Sequence, residues 1–344
     1  MDMLALLQCL APYISVTTIR QMQHIIAAML AVSGRVTMLG LSRWAGKGGS
    51  YRTVQRFYNT VLPWPLLFWW FFRTQLYHAG DAYLLAGDEC VVPKAGQHTY
   101  GLERFFSSLY GKPIPGLAFF TLALVDIRER RAYPVQVEQL HARESCKGAP
   151  PLKPAAEPRP VGRPKGSRNH DKTQVTLTPE LQLLQNMVRK QSLLINGLFA
   201  LTYLVLDGQF GNHNALEMTR QCGLHLISKL RHDAALYLPY TGAYSGRGPY
   251  LKYGTRLDYQ HLPRQYRQES VIEGDLQTET YHMQVWNKHF AAPLNVVILV
   301  KTHLKTGAHA HVILFSSDLT LSYEKLVDYY RCLLYTSPSP RDKS

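Results

Sequence analysis

Two short apolar segments of the chain each end on an aspartate. The first, LLAGD, ends at Asp88, and the second, TYLVLD, ends at Asp207. Short apolar runs bounded by turn-forming residues are typical of buried strands. A helix predicted from His213 leads to a third strand within 223–237. This strand, helix, strand order predicts a parallel pair with a right-handed crossover, and therefore an α/β fold.

Further strands and helices are predicted on both sides of this pair. Residues 116–140 indicate two antiparallel strands around a charged turn, and LNVVILVKT with AHAHVILFSSD indicates a hairpin followed by a helix near Ser322. Residues 1–80 show helical periodicity broken by glycine-rich turns. Thr178, Pro179 and Glu180 carry the signals of a helix start. The sheet is therefore expected to be mixed, with a helical region before it.

These patterns predict a division of the chain into successive segments. They are a helical, DNA-binding domain at 1–80, the first part of a core at 81–140, a flexible basic loop at 141–177, the second part of the core at 178–237, a strand-rich insertion at 238–294, the end of the core at 295–331, and a tail without apolar periodicity at 332–344.

The charge of the chain favours a polyanionic partner. A formal net charge of +14 and a pI near 9.5 suit nucleic acid or an anionic membrane surface. The longest apolar runs, at 63–72 and 294–300, are well short of the roughly 20 residues that a spanning helix needs, so DNA is the expected partner and no membrane is expected. Asp2 replaces the basic start of a secretory signal. The five cysteines are scattered without a CxxC pair, which favours the cytoplasm and excludes a disulfide framework.

Two segments are candidate DNA contacts. A helix capped by Ser50 would present Arg52 and Arg56 near its start, as a recognition helix does, although a solvated helix face has the same pattern. The loop at 141–177 has eight basic and three acidic residues, and its centre resembles an AT-hook. The alternative is a plain basic linker that touches phosphates. In either case the candidate DNA contacts of this loop are Arg163, Lys165 and Arg168.

The two strand-end aspartates are the candidate catalytic residues. If their strands are neighbours, Asp88 and Asp207 can share divalent cations, for which carboxylate oxygens are suitable ligands. The alternative is that each acid only forms a turn or caps a helix. Strand alternation sends Glu89 to the opposite face from Asp88. His309 and His311 share one strand face, as a metal pair would, but partly buried strand histidines have the same pattern.

Several blocks of the sequence resemble DDE transposases of bacterial insertion sequences. The segment LLAGDECVVPKAGQHTYGLERFFSSLYGKPIPGLAFFTLALVD resembles their first catalytic block, with an acid pair followed by Pro-Lys-x-Gly, Ser and Gly-Lys. YLVLDGQFGN resembles the second block, ISKLRHDAALY the following strand, and KLVDYYRC the start of the helix that bears the third block. The resemblance covers residues 50–331, with the blocks in the family's order.

The resemblance implies a ribonuclease-H-like core with a strand-rich insertion ahead of a final catalytic helix. It implies two bound Mg²⁺ or Mn²⁺ ions, with Asp88 and Asp207 as the first and second ligands. It also implies cleavage of transposon ends and strand transfer into target DNA, by a homodimer on paired ends. Cys90 stands where threonine is more usual. Further candidate DNA contacts are Lys94, near the first ligand, and Lys229 and Arg231, in the strand after the second block.

The third ligand of the family, a glutamate, is missing from its expected position. Counted from Tyr330, the family pattern places arginine where Leu333 stands and glutamate where Ser337 stands. Prolines at 338 and 340 prevent a continuous helix to the next acid, Asp342. The segment CLLYTSPSPRD also resembles one reading frame of a mosaic-end sequencing adapter.

We therefore expect the native sequence to stop at Arg331, with an assembly artefact after it; the alternative is a natural divergent tail. The chain as printed is expected to lack the final catalytic helix, to leave one side of the sheet uncovered and to be inactive. Two other functions remain open: a non-catalytic DNA-binding protein and a structure-directed DNA nuclease.

Overall fold

The N-terminal region is helical, as predicted. The computed structural model describes residues 3–46, 48–96, 98–107, 110–141, 171–244, 246 and 248–333. The hydroxyl groups of Ser15, Thr37 and Ser50 each accept a backbone N–H at a helix start. Such caps satisfy amide groups that have no partner within the helix. The helices of this region are α1 (Met3–Leu7), α2 (Val16–Ala31), α3 (Met38–Trp44), α4 (Tyr51–Tyr58) and α5 (Trp64–Phe71), and a π-helical turn follows at Phe72–Leu76.

Strands dominate the described residues after Ala82. Ten of these strands form one sheet, and β7 and β8 form a separate pair. The strands are β1 (Tyr83–Pro93), β2 (Glu103–Ser107), β3 (Lys112–Asp126), β4 (Arg131–Leu140), β5 (Tyr203–Leu206), β6 (His225–Leu230), β7 (Tyr237–Pro239), β8 (Tyr253–Arg256), β9 (Arg267–Glu273), β10 (Leu276–Val285), β11 (Leu294–His303) and β12 (His309–Ser316).

The middle of the sheet has ribonuclease-H-like topology. The strand order is β4, β3, β1, β5, β6, in which β4, β3 and β1 are antiparallel neighbours and β5 and β6 run parallel to β1. Helices α6 (Pro179–Ile195) and α7 (His213–Gln221) precede and follow β5. Thr178 caps α6 by accepting the Leu181 N–H. The predicted mixed α/β fold, the parallel pair and its crossover helix are confirmed.

Beyond β6 the sheet continues through the antiparallel strands β12, β11, β10 and β9. The predicted hairpin of β11 and β12 is confirmed. Two strands of the predicted insertion, β9 and β10, extend the same sheet. The reason is that Tyr281, Met283 and Val285 alternate along β10 and bury one face beside β11.

The sheet is packed on both faces. On one face α6 and α7 bury Leu184 and Leu216 against sheet residues such as Leu204. On the other face α8 (Tyr323–Arg331), capped by Ser322, buries Leu326 completely against the sheet. The predicted loss of the final helix is therefore only partial, because nine residues of it are present and packed. The position of Ser337 lies outside the described residues.

The helical region has its own apolar cluster and also contacts the core. Residues such as Ile19, Leu41 and Val54 form a cluster among α1 to α5, whereas Trp69 and Phe72 pack into the core beneath the sheet. No helix in the described part of the chain is both long and apolar enough to cross a membrane. The predicted flexible loop lies almost wholly outside the described residues, which omit 142–170.

Candidate active site

The two candidate catalytic aspartates lie level with each other on neighbouring strands. Strands β1 and β5 are parallel, and Gly87 is paired with Leu206, the last residue of β5, so Asp88 and Asp207 follow this last pair at the same level. Ala86 and Val205, two residues earlier on each strand, belong to the apolar cluster beneath α8. Because side chains alternate along a strand, both carboxylates lie on the α8 face of the sheet.

Each aspartate is held by the backbone of the residue that follows it. The Glu89 N–H donates to Asp88 Oδ1 over 2.9 Å, and the Gly208 N–H donates to Asp207 Oδ1. Asp88 is half-buried, whereas Asp207 is exposed at the end of β5. These hydrogen bonds fix the carboxylate orientations relative to the sheet, as a binding site for a small ion requires.

The turn after Asp207 is closely packed against β6. A short 3₁₀ helix at Gly208–Phe210 follows Asp207, and the buried Ser228 hydroxyl donates to the Asp207 carbonyl oxygen over 2.9 Å. A Cβ atom at Gly211 would lie 1.9 Å from the Lys229 carbonyl oxygen, so only glycine fits there. The stem of Lys229 lies along Gly208, because a Cβ atom there would be 2.9 Å from Lys229 Cε. The predicted DNA contact Lys229 therefore lies beside Asp207.

Tyr330 of α8 reaches the two aspartates. Burial, the negative charge of Asp207, a hydrogen bond to the Asp207 side chain and the charge of Asp88 raise the pKa of Tyr330 above its ordinary value. The hydroxyl is therefore protonated at neutral pH and donates to Asp207. From the sequence, Tyr330 was expected only to mark the position from which the missing glutamate is counted, and no contact of its side chain was predicted. The only sequence signal for a role of Tyr330 in the site was its place at the start of the family pattern.

Glu89 lies on the opposite face of the sheet from Asp88. Burial and the negative charges of Glu180 and Asp88 raise its pKa, and a hydrogen bond with Gln209 opposes this shift. Gln209 also donates to Glu180 of α6 over 3.3 Å. Glu89 is thus part of a polar group beneath α6, and the structure does not bring it to the α8 face with Asp88 and Asp207.

The predicted DNA contacts lie in several places. Arg52 and Arg56 are exposed, one turn apart on α4, opposite the buried Val54 and Phe57. Lys94 follows the end of β1, six residues and therefore roughly 20 Å of extended chain from Asp88. Because β1 remains extended as far as Pro93, Lys94 is separated from Asp88 along the strand, and its role as a DNA contact stays a prediction.

Arg231 forms two hydrogen bonds with Asp233, of 3.0 and 3.1 Å, at the surface after β6. A DNA phosphate would have to replace this carboxylate. Arg163, Lys165 and Arg168 lie outside the described residues.

The histidines of β12 are not brought to a cluster of metal ligands. The His311 ring stacks on Tyr259 with the ring centroids 4.6 Å apart, and its Nε2 lies 2.8 Å from the His232 carbonyl oxygen. Over the described part of the chain, neither His309 nor His311 belongs to a group of three possible metal ligands. Their interpretation as strand histidines with ordinary contacts is favoured.

The donor set of the site suits a hard divalent cation. The charges of both carboxylates act on the hydroxyl of the half-buried Tyr330, so their negative charge is concentrated in one small region. Carboxylate oxygens are the ligands that Mg²⁺ and Mn²⁺ prefer. Asp88 and Asp207 would hold such an ion on the α8 face.

Comparison with known proteins agrees with this geometry. No curated protein matches the chain. The family described as DDE superfamily endonuclease matches residues 9–292, which include both aspartates and end before β11. Endonucleases of this kind act on DNA and typically use divalent metal ions. The match extends over most of the chain, and the chain therefore belongs to the DDE superfamily endonucleases.

Proposed function

We propose that this protein is a transposase that cleaves transposon ends and transfers the freed strands into target DNA. The observation that supports this most is the level placement of Asp88 and Asp207 on one face of a ribonuclease-H-like sheet. Two Mg²⁺ or Mn²⁺ ions held there would activate the attacking oxygen and stabilise the leaving oxygen of a phosphodiester. The backbone N–H groups of Glu89 and Gly208 hold the two carboxylates in place. The substrate would be transposon terminal repeats, bound by a homodimer on paired ends.

The position of α8 supports a third ligand from its continuation. Position 337 is seven residues after Tyr330, so a continuous helix would place it on the same helix face, about 10 Å further along the axis. That face carries the Tyr330 hydroxyl to Asp207. The printed sequence has Ser337 there. We infer that this polypeptide does not cut DNA, and that a product with glutamate at 337 does.

The first experiment is to sequence the source DNA beyond the codon for Arg331. If the frame continues with arginine at 333 and glutamate at 337, the printed tail is an artefact and the intact protein has three carboxylates. If the printed residues 332–344 are confirmed, the proposal of an active transposase is wrong for this gene. Non-catalytic DNA binding is then the better function.

The second experiment measures cleavage and joining by the chain with glutamate at 337, using the DNA that flanks the gene and Mg²⁺ or Mn²⁺. We expect Asp88→Asn and Asp207→Asn each to lower the cleavage rate at least ~10³-fold, because catalytic groups that act as a unit fail together. Asp275→Asn is the matched control, since Asp275 is paired with Lys305 far from the site. Undiminished cleavage in the Asp88 and Asp207 variants would contradict the assignment. Hydrolysis without joining would favour the structure-directed nuclease.

A further inference from the structure

A second group of possible metal ligands lies at the start of β1, five residues before Asp88. His78 and Asp81 lie between the π-helical turn and β1, and Asp126 is the last residue of β3, paired in register with Tyr83. One ligand atom from each of the three residues lies within 4.8 Å of the others. Tyr83 is five residues from Asp88, about 17 Å along the strand, so this group is separate from the candidate active site.

The two carboxylates of this group are buried, and each has an oxygen without a partner. Asp126 is 0% exposed, and the Asp81 side chain is 3% exposed. Asp126 Oδ1 accepts the Glu129 N–H over 3.0 Å, and Asp81 Oδ1 lies 3.1 Å from Arg128 Nη1. The Oδ2 atoms of both residues are buried and have no hydrogen-bond partner among the described residues.

These two Oδ2 atoms are placed as ligands of a cation would be. Two buried carboxylates repel each other, and a buried polar atom without a partner is strongly unfavourable. The Arg128 side chain is 68% exposed, and its Nη2 also lies 3.7 Å from Glu129 Oε1, so Arg128 compensates the charge of Asp81 incompletely. A cation between the Oδ2 atoms would satisfy both oxygens at once.

The chemistry of the three ligands selects the kind of cation. An imidazole nitrogen together with two carboxylate oxygens suits Zn²⁺, Mn²⁺ or Fe²⁺, whereas Mg²⁺ and Ca²⁺ favour oxygen ligands alone. His78 is exposed, so the solvent side of the group can supply water as the remaining ligand.

We propose that His78, Asp81 and Asp126 form a divalent transition-metal site that fastens the segment leaving the N-terminal helices onto the catalytic sheet. Two ligands come from that segment and the third comes from β3, so a bound ion joins them directly. The His78 N–H already donates to the Tyr83 hydroxyl over 3.0 Å, which holds the segment against β1. Binding of the ion to the folded state alone would stabilise the fold.

The test uses the full chain with Asp88→Asn and Asp207→Asn, so that the candidate active site cannot bind the probe ion. Co²⁺ is titrated alone and followed by its visible absorption, and Zn²⁺ is then added as a competitor. We expect one Co²⁺ per chain, displaced by Zn²⁺, and a rise in Tm when either ion is bound. His78→Gln should weaken Co²⁺ binding by more than about tenfold and remove the rise in Tm.

His261→Gln is the matched control. His261 is an exposed histidine beside a single carboxylate, with its Nδ1 2.9 Å from Asp258 Oδ2, and should make no difference to Co²⁺ binding. Because His78 is exposed, His78→Gln and the parent chain should have equal Tm values in EDTA. A second measurement, by proton NMR, needs no substitution of His78. The parent chain with Asp88→Asn and Asp207→Asn, loaded with Co²⁺, should show a paramagnetically shifted imidazole N–H proton. Absence of that signal, absence of Co²⁺ binding, or equal binding by His78→Gln would overturn the proposal.

Discussion

At the scale of single residues, the position of Asp207 depends on the turn that follows it. Gly208 and Gly211 both lie against Lys229, but a side chain at each would meet a different kind of atom. At Gly208 it would meet the flexible Lys229 Cε, and at Gly211 the backbone carbonyl oxygen of β6. A flexible side chain can move away, whereas a backbone atom in a sheet cannot do so without disturbing the strand.

We predict that Gly211→Ala displaces the Asp207 turn from β6 and destabilises the protein by about 1–3 kcal/mol, the range for overpacked sites. Gly208→Ala is the matched substitution within the same turn and should cost clearly less. Urea unfolding of the two variants measures the difference. Equal stability of Gly211→Ala and the parent chain would show that the turn is not packed on Lys229 in this way.

At the scale of secondary-structure elements, α8 is the helix that packs on the same face of the sheet as the candidate active site. Leu326 is fully buried against the sheet, and Tyr330, one turn later on the helix, contacts Asp207. Docking of α8 therefore decides whether its continuation can bring a third carboxylate to Asp88 and Asp207.

We predict that Leu326→Ala lowers the free energy of unfolding by about 2–5 kcal/mol, because it removes a buried leucine and leaves a cavity under α8. Lys325→Ala changes the adjacent, exposed residue of the same helix and should alter stability by less than about 0.5 kcal/mol. Chemical denaturation of both variants measures these values. A small effect of Leu326→Ala, similar to that of the control, would mean that α8 is not docked on the sheet.

At the scale of the whole molecule, the net charge of +14 suits a DNA-cleaving enzyme. Charge of this kind attracts DNA without regard to sequence and makes binding depend on salt. Arg52 and Arg56 are exposed on α4, within the helical region that packs as a cluster of its own. Both side chains are exposed on one face of α4, and the opposite face of the helix is buried through Val54 and Phe57.

We predict that Arg52→Ala with Arg56→Ala weakens DNA binding and reduces the slope of log K against log salt concentration by about two, one for each lost phosphate contact. The control is the double variant Arg267→Ala with Lys305→Ala, which removes the same amount of positive charge. Arg267 already pairs with Glu279, and Lys305 already pairs with Asp275. That control should leave the slope nearly unchanged. Fluorescence anisotropy over a range of salt concentrations measures both, and equal slopes for the two double variants would exclude α4 as a specific contact.

Local patterns determined much of the fold. The apolar runs predicted β1 and β5, the cap signals predicted the start of α6, and strand alternation predicted that Glu89 faces away from Asp88. These features depend on residues close together in the chain, so the printed sequence is enough to infer them.

Tertiary structure alone decided how those elements meet. The register that sets Asp88 level with Asp207, the reach of Tyr330 to Asp207, and the meeting of His78 and Asp81 with Asp126 join residues far apart along the chain. The same is true of β9 and β10, whose place in the main sheet depends on pairing with β11. Pairing and packing between distant segments fix such contacts, and no local period of the sequence encodes them.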